Sequence, residues 1–455
     1  MATAITSREL ILNILLEVNK DGEYSHIAIR KTLERYQYLP KQERSFITKV
    51  CEGTIEYMLQ LDYIIEQFSS VKIAKMKPLV REILRSSVYQ MKYMDRVPES
   101  AICNEAVKLT QKRGFYSLKG FVNGILRNIA RGMDSIKYPP IEQPILYLSI
   151  KYSMPSWIVE EWVYRFGFES TESILADFLL ERPTTIRCMQ YRIDKELTIK
   201  QLEKEGVTVE RAPYLNDAYY ISNYNYITAL TAFQAGSIAI QDLSSMLVGR
   251  VAAPKKGDYI IDMCAAPGGK SVHVADMMGG YGEVEARDLT EYKVALIEEN
   301  IKRTNLINAV AKCQDATVFD GESVNQADIV LCDVPCSGLG VIAKKPDIKY
   351  KTSKAKIEEL VVLQRKILNN AATYVKEGGT LIYSTCTISK EENEENIEWF
   401  TNNYPYELEN IDSHLCEELR SETTEKGYLQ LLPGVHKTDG FFVAKLRRRV
   451  NNGRN

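Results

Sequence analysis

Two cysteines in this sequence stand where a thiol could take part in chemistry. Cys336 follows the apolar run of residues 329–334, and Cys386 follows the run of residues 380–385, so each opens a loop after an expected strand. Adjacent strand ends would bring both thiols to one rim of a sheet, where a thiolate can act as a nucleophile. A buried cysteine is usually an inert small hydrophobe, and on geometry alone both interpretations stay open for this pair. We assign the inert, buried interpretation to five other cysteines: Cys51, Cys103, Cys188, Cys313 and Cys332.

A turn of small residues follows the apolar run of residues 259–263. Small side chains let backbone N–H groups approach a ligand, and an open α/β sheet binds a nucleotide-like ligand at such a strand–turn–helix junction. The turn is not a P-loop, because that motif needs a glycine where Cys264 stands. A purely structural turn remains the alternative. The candidate binding residues here are Cys264, Ala265, Ala266, Pro267, Gly268, Gly269 and Lys270.

Three aspartates lie at the expected ends of later strands. Asp288 comes 26 residues after Asp262, and an acid at the end of the second strand can accept hydrogen bonds from ribose hydroxyls. Asp315 ends the third expected strand, where it would border a purine ring, and Asp333 ends the fourth, close to Cys336. A single carboxylate at a strand end is as often the N-cap of the next helix. The occurrence of the set at successive strand ends favours a ligand site.

The elements that must position these residues alternate from about residue 238 onward. Short apolar runs are separated by helical segments, and this alternation predicts βαβ units and a parallel sheet. The runs lie at residues 259–263, 282–288, 309–315, 329–334 and 380–385. The last run, residues 441–446, follows a turn that contains glycine and is predicted to be a final edge strand of a hairpin.

The first third of the chain is predicted to be helix after helix. Its apolar residues recur at helical spacing, as in Leu10, Ile11, Ile14, Leu15 and Val18. Residues 1–150 hold 22 Lys and Arg against 16 Asp and Glu, and since the whole chain has a net charge of −2, the remainder is acidic. A mildly positive helical module suits contact with a phosphate backbone, although a solvated charged surface has the same composition.

Three domains are predicted for the 455 residues, since single cores stop growing near roughly 250–300 residues. An all-α domain spans residues 1–135, where prolines begin to break the helical pattern. A small mixed domain of short strands and turns spans residues 136–235. An α/β domain spans residues 236–450 and contains all the candidate site residues.

Composition excludes several classes of protein. The nine cysteines form no CxxC pair and there are only four histidines, so neither a disulfide scaffold nor a metal site is expected. The N-terminus has no basic region before its apolar residues, and charges interrupt every long apolar run, so no signal peptide and no membrane span are expected. We therefore expect a cytoplasmic chain with reduced thiols, and nothing in the sequence demands more than a monomer.

At these motifs the sequence closely resembles the RNA 5-methylcytosine methyltransferases, specifically their Sun (Fmu) group. Residues 121–127 also resemble the closing helix of the NusB fold, an all-helical RNA-binding module that bacterial 16S ribosomal RNA members of the group carry. The family's Pro-Cys motif commonly has Ala before the Pro, so Val334 is a mild departure that leaves the functional residues intact. The other matching segments are residues 262–271, 333–338, 345–350, 384–387 and 439–442.

The resemblance implies a reaction and a role for each residue. Cytosine C5 is too weak a nucleophile to take a methyl group unaided, and a thiolate that adds to C6 activates it. In the family this nucleophile is the cysteine matched by Cys386, and the cysteine matched by Cys336 helps the C5 proton to leave. Asp333 would bind the N3/N4 edge of a flipped-out or single-stranded cytosine. The implied cofactor is S-adenosylmethionine, held by the glycine turn, by Asp288 at the ribose, by Asp315 on the adenine side and by Asp333 at the mouth of the site.

The implied partner is 16S ribosomal RNA of the small subunit, because the helical N-terminal domain occurs in enzymes that act on it. A transfer RNA cytosine-5 methyltransferase is the alternative among enzymes, since the same motifs serve several RNAs. A non-catalytic RNA-binding ribosome assembly factor is the alternative outside enzymes, and the intact Cys336 and Cys386 argue against it. The expected fold class is multidomain: an all-α NusB-like N-terminal domain, a small α+β linker domain and an α/β Rossmann-like class I methyltransferase domain.

Overall fold

The computed structural model describes residues 5–191 and 193–450. Their contacts divide the chain into two compact units. The helical unit comprises residues 5–179 together with residues 342–351, and the sheet unit comprises residues 180–341 and 352–450 apart from residue 192. A segment from the C-terminal half of the sequence is therefore part of the helical unit.

The helical unit forms because apolar residues recur at helical spacing along residues 5–179. In α1 (Ser7–Asn19), Ile14 and Leu15 are fully buried, and Thr6 and Glu9 form a capping box at its start. The other helices are α2 (Ser25–Arg35), α3 (Lys41–Glu56), α4 (Met58–Phe68), α5 (Pro78–Tyr93), α6 (Glu99–Lys112), α7 (Lys119–Gly132), α8 (Pro144–Lys151), α9 (Ser156–Phe166) and α10 (Phe168–Asp177). The predicted all-α start of the chain is confirmed.

The helical unit extends beyond the boundary predicted at residue 135, because α8 is bound to α4. Gln60 Nε2 donates to the carbonyl oxygens of Ile150 at 3.2 Å and Lys151 at 2.9 Å. The backbone N–H of Leu59 donates to Ser153 Oγ at 3.0 Å. The compact unit and the predicted domain of residues 1–135 therefore differ in extent, and the domain boundaries at residues 135 and 235 stay predictions.

Residues 342–351 are tied to the ends of two helices of the helical unit. Asp347 accepts the backbone N–H of Ser25 at 3.1 Å and its hydroxyl at 2.5 Å, at the first residue of α2. Lys349 Nζ donates to the carbonyl oxygen of Glu56 at 2.8 Å, at the last residue of α3. A carboxylate at a helix N-terminus and an ammonium at a C-terminus each meet the favourable end of the helix dipole. The segment therefore caps two helices that lie about 300 residues earlier in the chain.

The sheet unit begins with a small antiparallel sheet in the strand order β2-β3-β1-β4. Its elements are β1 (Thr184–Cys188), α11 (Lys195–Lys204), β2 (Thr208–Arg211), β3 (Ala218–Ser222), α12 (Thr231–Gln234) and β4 (Ile238–Ile240). Arg187 of β1 is fully buried, and its Nη1 donates to Asp276 Oδ2 at 2.6 Å. Because Asp276 lies in the first βα unit of the following large sheet, this ion pair fastens the small sheet to it.

The large sheet is built mainly from alternating strands and helices, as the sequence predicts. Its elements in chain order, with the short helix of residues 342–351 numbered in place, are α13 (Leu243–Ala252), β5 (Tyr259–Asp262), α14 (Gly269–Met277), β6 (Glu283–Asp288), α15 (Glu291–Thr304), β7 (Ala309–Cys313), β8 (Ala327–Asp333), α16 (Ile348–Lys351), α17 (Lys354–Tyr374), β9 (Val375–Thr385), α18 (Glu394–Asn403), β10 (Tyr406–Leu408), α19 (Glu422–Glu425), β11 (Tyr428–Leu431) and β12 (Phe441–Arg448). The predicted α/β domain is confirmed.

The large sheet has the strand order β10-β12-β9-β8-β5-β6-β7, and β11 pairs with β12. The five strands β5 to β9 run parallel to their neighbours among themselves. The consecutive residues Ile260 and Ile261 of β5 enter two different buried clusters, since side chains alternate across a strand. The sheet is therefore buried on both faces, as a parallel sheet requires.

Two expectations from the sequence are wrong. Strand β12 is not an edge strand, because it lies between β9 and β10 and pairs with both, which buries residues 441–446. Cys313 is exposed rather than buried, because it ends β7, which is the edge strand on the opposite side of the sheet. The other four cysteines that we expected to be inert are buried: Cys51, Cys103, Cys188 and Cys332.

Candidate active site

The ends of β8 and β9 bring the two candidate cysteines into contact. These strands are parallel neighbours, and Asp333 pairs in register with Ser384. Cys336 lies three residues beyond β8, and Cys386 comes directly after β9. Their sulfur atoms are 3.2 Å apart. The structure thus joins two thiols that are 50 residues apart in the sequence.

The surroundings of Cys336 favour its protonated form. The hydrogen bond to Cys386 and burial raise the pKa of Cys336 well above its ordinary value. The negative charge of Glu392 acts in the same direction, and a hydrogen bond from the backbone of Gly338 opposes it. Cys336 therefore holds its proton as a thiol near neutral pH.

Asp333 is held from two sides at the end of β8. Lys270 Nζ lies 2.6 Å from Asp333 Oδ2, and Ser384 Oγ donates to Asp333 Oδ1 at 2.8 Å. The side chain of Lys270 is only 14% exposed. Burial lowers the pKa of Lys270, but the charge and hydrogen bond of Asp333 outweigh it, so that the pKa of Lys270 is raised. The ammonium and the carboxylate therefore remain an ion pair.

The glycine turn leaves room at the start of α14. Gly268 has a φ of +101°, a left-handed conformation that glycine adopts without strain. A Cβ at Gly268 would also come within 3.3 Å of Ile297 Cγ2. A Cβ at Gly269, by contrast, would meet nothing within 4 Å. Space is therefore free beside Gly269 at this helix start, where the first backbone N–H groups of a helix have no partner within the helix and can donate to a ligand.

Asp288 binds the glycine turn directly. It ends β6 at 4% exposure, and its Oδ2 accepts the backbone N–H of Ala266 at 2.9 Å. Its Oδ1 accepts the backbone N–H of Leu289 at 2.7 Å and Lys293 Nζ at 2.9 Å. The N-cap of α15 is Thr290, so Asp288 is not the cap of that helix. The carboxylate instead fixes the turn against the end of β6.

Asp262 at the end of β5 holds an oxygen without a partner. Its side chain is buried at 1% exposure, and Ser271 Oγ donates to its Oδ2 at 2.6 Å. No described residue donates a hydrogen bond to its Oδ1. Burial raises the pKa of Asp262 to about 7, against the hydrogen bond from Ser271 and with the charge of Asp333. Because buried polar atoms are nearly always hydrogen-bonded, this oxygen fits a donor supplied by a ligand.

Asp315 lies two residues beyond β7 rather than at its end. Its Oδ1 accepts the backbone N–H of Thr317 at 2.8 Å and the hydroxyl of Thr317 at 2.7 Å, a pattern typical of a turn. The preceding Gln314 donates its backbone N–H to the carbonyl oxygen of Asp288 at 2.9 Å. Asp315 therefore follows a segment bound to the end of β6, and one of its oxygens is occupied by its own turn.

The sequence analysis missed a buried polar cluster behind the cysteine loops, which we call the loop clamp: Ser337, Gln364, Thr387 and Glu392. All four side chains are buried. Ser337 Oγ lies 2.7 Å from Thr387 Oγ1, and the backbone N–H of Ser337 donates to Glu392 Oε1 at 2.8 Å. The charged run of residues 391–395 is typical of a solvated loop. The one available signal was the nearness of these polar residues to the two cysteine motifs.

Two glycines that the sequence analysis did not single out let the cysteine loops approach each other. The backbone N–H of Gly340 donates to the carbonyl oxygen of Cys386 at 3.0 Å, and that of Gly440 donates to the carbonyl oxygen of Gly340 at 2.9 Å. A Cβ at Gly340 would lie 2.0 Å from the carbonyl oxygen of Gly440. Any larger residue at position 340 would therefore push these loops apart.

Residues 5–191 and 193–450 include no helix that is long and apolar enough to cross a membrane. In that same part of the chain, no group of three or more His, Cys, Asp or Glu side chains is placed to hold a metal ion. All nine cysteines are free thiols.

Three family models match successive parts of the chain. Residues 5–131 match the NusB family. Residues 154–228 match the ferredoxin-like domain of RsmF/B-like methyltransferases. Residues 250–447, which contain both cysteines and the glycine turn, match the model described as 16S rRNA methyltransferase RsmB/F.

Relatives are similar over almost the full length of the chain. The probable ribosomal RNA small subunit methyltransferase B of Bacillus subtilis (strain 168) is 37% identical, over 97% of this chain and 98% of the relative. The probable ribosomal RNA small subunit methyltransferase B of Synechocystis is 31% identical, over 98% of this chain and 100% of the relative. The crystal structure of PH0851 is similar with a TM-score of 0.81 at 27% identity, over 97% of this chain and 99% of that one. NSun6 from Pyrococcus horikoshii, solved with SFG, has a TM-score of 0.57 at 26% identity, over 64% of this chain and 97% of that one.

Proposed function

This chain belongs to the 16S rRNA methyltransferase RsmB/F family, and we propose that it methylates C5 of a cytosine in 16S ribosomal RNA. Membership of that family, with its NusB-like N-terminal region, makes the chain an RNA methyltransferase that uses S-adenosylmethionine. The observation that carries the finer proposal is the 3.2 Å contact between the sulfur atoms of Cys336 and Cys386.

Cys386 is the proposed nucleophile. Its thiolate adds to C6 of the target cytosine, and the electron pair of the C5–C6 double bond becomes available at C5. This converts a weakly nucleophilic ring carbon into an enamine-like carbon that can accept a methyl group. The raised pKa of Cys336 supports the assignment, because a cysteine that stays a thiol is the poorer nucleophile of the two candidates.

Cys336 is the proposed proton carrier of the second half of the reaction. After methyl transfer, C5 carries both a methyl group and a proton, and that proton must leave before the bond from Cys386 to C6 can break. Removal of the proton returns its electron pair to the ring, re-forms the C5–C6 double bond and expels Cys386 as a thiolate. Cys336 takes up the C5 proton as a thiolate, because its own proton passes to N3 of the ring when Cys386 adds to C6, and the N3 proton is lost to solvent after Cys386 leaves.

Asp333 is proposed to bind the N3/N4 edge of the cytosine. Its carboxylate lies at the end of β8, in register with the residue two positions before Cys386. Lys270 and Ser384 fix both of its oxygens, so its orientation is set before the RNA binds. A hydrogen bond to this edge favours the protonated ring as negative charge develops, and it requires a cytosine that is flipped out or single-stranded.

S-adenosylmethionine supplies the methyl group when it is bound. We assign its binding to turn residues 264–270, with Asp288 at the ribose hydroxyls and Asp315 on the adenine side. Two observations support this assignment: the open space at Gly269 and the unpartnered Oδ1 of Asp262. Backbone N–H groups at a helix start favour a carboxylate, which the methionine part of the cofactor carries.

The remaining parts of the proposal concern the state of the protein. We propose a cytoplasmic monomer, since the free thiols suit a reducing compartment. We also propose three domains, at residues 1–135, 136–235 and 236–450. Sedimentation at micromolar concentration tests the monomer, and a sedimenting dimer would refute it.

Trapping of a covalent protein–RNA adduct tests the roles of the two cysteines. Cys386→Ala should abolish turnover and form no adduct, because no bond to C6 can form. Cys336→Ala should accumulate an adduct that migrates slowly on a denaturing gel, because the bond to C6 cannot break. Cys313→Ala is the matched control, since that thiol is exposed at the edge strand β7. An adduct with Cys386→Ala and none with Cys336→Ala would reverse the assignment.

The RNA substrate is tested separately. Labelled methyl from S-adenosylmethionine should enter purified 16S ribosomal RNA, and bisulfite sequencing should place the new group on one cytosine. Transfer RNA is the comparison substrate, because the same cysteine chemistry would serve it. Labelling of transfer RNA alone would refute the ribosomal substrate and leave the covalent mechanism intact.

A further inference from the structure

We infer that Glu392 is a positioning residue of the reaction: through the loop clamp, it sets the distance between the Cys336 and Cys386 sulfur atoms that product release requires. The inference rests on the proposed function, because it assigns Cys336 to the release of the covalent adduct. Glu392 itself contacts neither sulfur in the described hydrogen bonds, and it acts through Ser337 and Gln364.

Glu392 holds the backbone on both sides of Cys336, directly on one side and through Gln364 on the other. After Cys336, the backbone N–H of Ser337 donates to Glu392 Oε1 at 2.8 Å, and the Ser337 hydroxyl donates to Oε2. Before Cys336, Gln364 Nε2 donates to the carbonyl oxygen of Pro335 at 2.9 Å and also to Glu392 Oε1 at 2.9 Å. Cys336 therefore lies between Ser337, which donates directly to Glu392, and Pro335, which is linked to Glu392 through Gln364.

The loop clamp also contacts the loop that contains Cys386. Ser337 Oγ and Thr387 Oγ1 are 2.7 Å apart. The single proton of the Ser337 hydroxyl points to Glu392, so the Thr387 hydroxyl is the donor in this contact. This chain of hydroxyls fixes the residue that follows Cys386 against the residue that follows Cys336. The spacing of the two sulfurs thus depends on Glu392.

The cost of burying Glu392 argues that it is kept for such a purpose. Its side chain is fully buried, and no lysine or arginine among the described residues forms an ion pair with it. Burial raises the pKa of Glu392, against the hydrogen bonds from Ser337 and Gln364. A buried carboxylate without a cation is expensive, and such groups concentrate at functional sites.

The test is the ratio of covalent adduct to released product in single-turnover reactions with 16S ribosomal RNA. Ser337→Ala removes one hydroxyl and should fold normally, so it is the first variant. Both Ser337→Ala and Glu392→Ala should raise the ratio at least about tenfold with Cys336 in place, since loosening the loop slows release more than methyl transfer. Glu392→Gln, which keeps the shape and one acceptor, should restore part of the wild-type ratio.

The matched control is Glu398→Ala, which removes an exposed carboxylate from the following helix α18. A merely structural role for Glu392 would lower the melting temperature and slow both steps equally, and this outcome would overturn the inference. An unchanged ratio in Ser337→Ala would overturn it too. If Cys336→Ala itself fails to trap an adduct, the proposed role of Cys336 fails, whatever the clamp variants show.

Discussion

Two buried lysines, one in each unit, show opposite protonation behaviour. Lys270 of the sheet unit donates to the carboxylate of Asp333, and its pKa is raised. Lys349 of the helical unit donates to the backbone carbonyl oxygen of Glu56, and burial lowers its pKa to about 7. Burial penalises the charge of both lysines in the same way, so their partners make the difference. A carboxylate that accepts a hydrogen bond from the ammonium overcomes the loss of water at Lys270, whereas the charge of Glu56 does not overcome it at Lys349.

This comparison separates two uses of a buried cation. Lys270 stays protonated throughout the pH range in which enzymes work, so it cannot serve as a base and instead orients Asp333 through their hydrogen bond. Lys349 exchanges its proton near neutral pH and serves as a cap of α3. The raised pKa of Lys270 thus concerns the proposed active site, whereas the lowered pKa of Lys349 concerns the stability of the helical unit.

The largest expected effect comes from removing the carboxylate of Asp333, which accepts a hydrogen bond from Lys270. Asp333→Ala should slow single-turnover methyl transfer by about a hundred- to ten-thousandfold, because the cytosine edge loses its partner and a buried ammonium is left unpaired. The rate of methyl transfer in Asp333→Asn should fall nearly as far, because asparagine keeps the shape of the side chain without its charge. Incorporation of labelled methyl into RNA measures both, and the exposed Glu283→Ala serves as the control. An Asp333 variant at half of wild-type activity would break the comparison.

The second effect concerns Lys349 and the stability of the helical unit. The folded state releases this proton near pH 7, whereas the unfolded chain keeps it to about pH 10.5, so the unfolded state binds more protons in between. Stability should therefore rise from pH 7 to pH 9 by up to about 3 kcal/mol. Lys349→Met should lack this rise, and Lys270→Met should keep it.

Urea unfolding followed by tryptophan fluorescence measures this effect. A Trp399→Phe background leaves Trp157 and Trp162, both in α9 of the helical unit, as reporters. Midpoints at pH 7, 8 and 9 give the slope for each variant. Equal slopes in the wild-type protein and Lys349→Met would contradict the lowered pKa.

A third, smaller effect is expected at Asp262, a buried carboxylate that has a hydroxyl rather than a cation as its partner. Its folded-state pKa of about 7 lies above its ordinary value of 3.8, so the stability it contributes is present below about pH 4 and is lost as the pH rises to about 7. Asp262→Asn should avoid this loss, so its free energy of unfolding should exceed that of the wild-type protein by about 2 kcal/mol between pH 5 and pH 7. Unfolding of the ligand-free protein, followed by Trp399 of α18, measures the gain, and Glu283→Gln should show none.

The smallest effect is expected for a lysine whose ion pair is open to water. Lys293 lies 2.9 Å from Asp288, but its side chain is 48% exposed. Lys293→Met should change stability and S-adenosylmethionine affinity by no more than about 0.5 kcal/mol, because water screens the pair. Asp288→Ala should weaken binding by roughly 1–3 kcal/mol, since it also orphans the backbone N–H of Ala266. Calorimetry measures the S-adenosylmethionine affinity of both variants. Equal losses of affinity would show that the exposure of the Lys293 side chain does not decide the size of the effect.

The strand ends could be predicted from the sequence because their signals are local. Apolar runs that end in Asp333 or lead into Cys336 and Cys386 mark the carboxyl ends of parallel strands, and the register of β8 and β9 brings these ends together. The inner position of β12 could not be predicted, because β10 comes earlier in the chain and pairs with its far side. Local hairpin patterns do not indicate such insertions.

The loop clamp could not be predicted because its partners are far apart in the sequence. Gln364 and Glu392 lie in stretches whose polar residues resemble a helix surface and a solvated loop, and only the packed structure buries them together. The capping of α2 by Asp347 could not be predicted for the same reason, because Ser25 lies 322 residues earlier in the sequence. Resemblance to a family marked residues 345–350 without indicating what they bind.

The helical unit is discontinuous in the sequence, and this has a consequence for its synthesis. A chain is made from its N-terminus, and domains generally fold as units as they emerge. Here the caps on α2 and α3 arrive only with Asp347 and Lys349, after the first four strands of the large sheet have left the ribosome. The helical unit, whose first part is synthesised first, therefore lacks these two caps until most of the sheet unit has been synthesised. For the same reason, no truncation of the chain at one position yields the complete helical unit by itself.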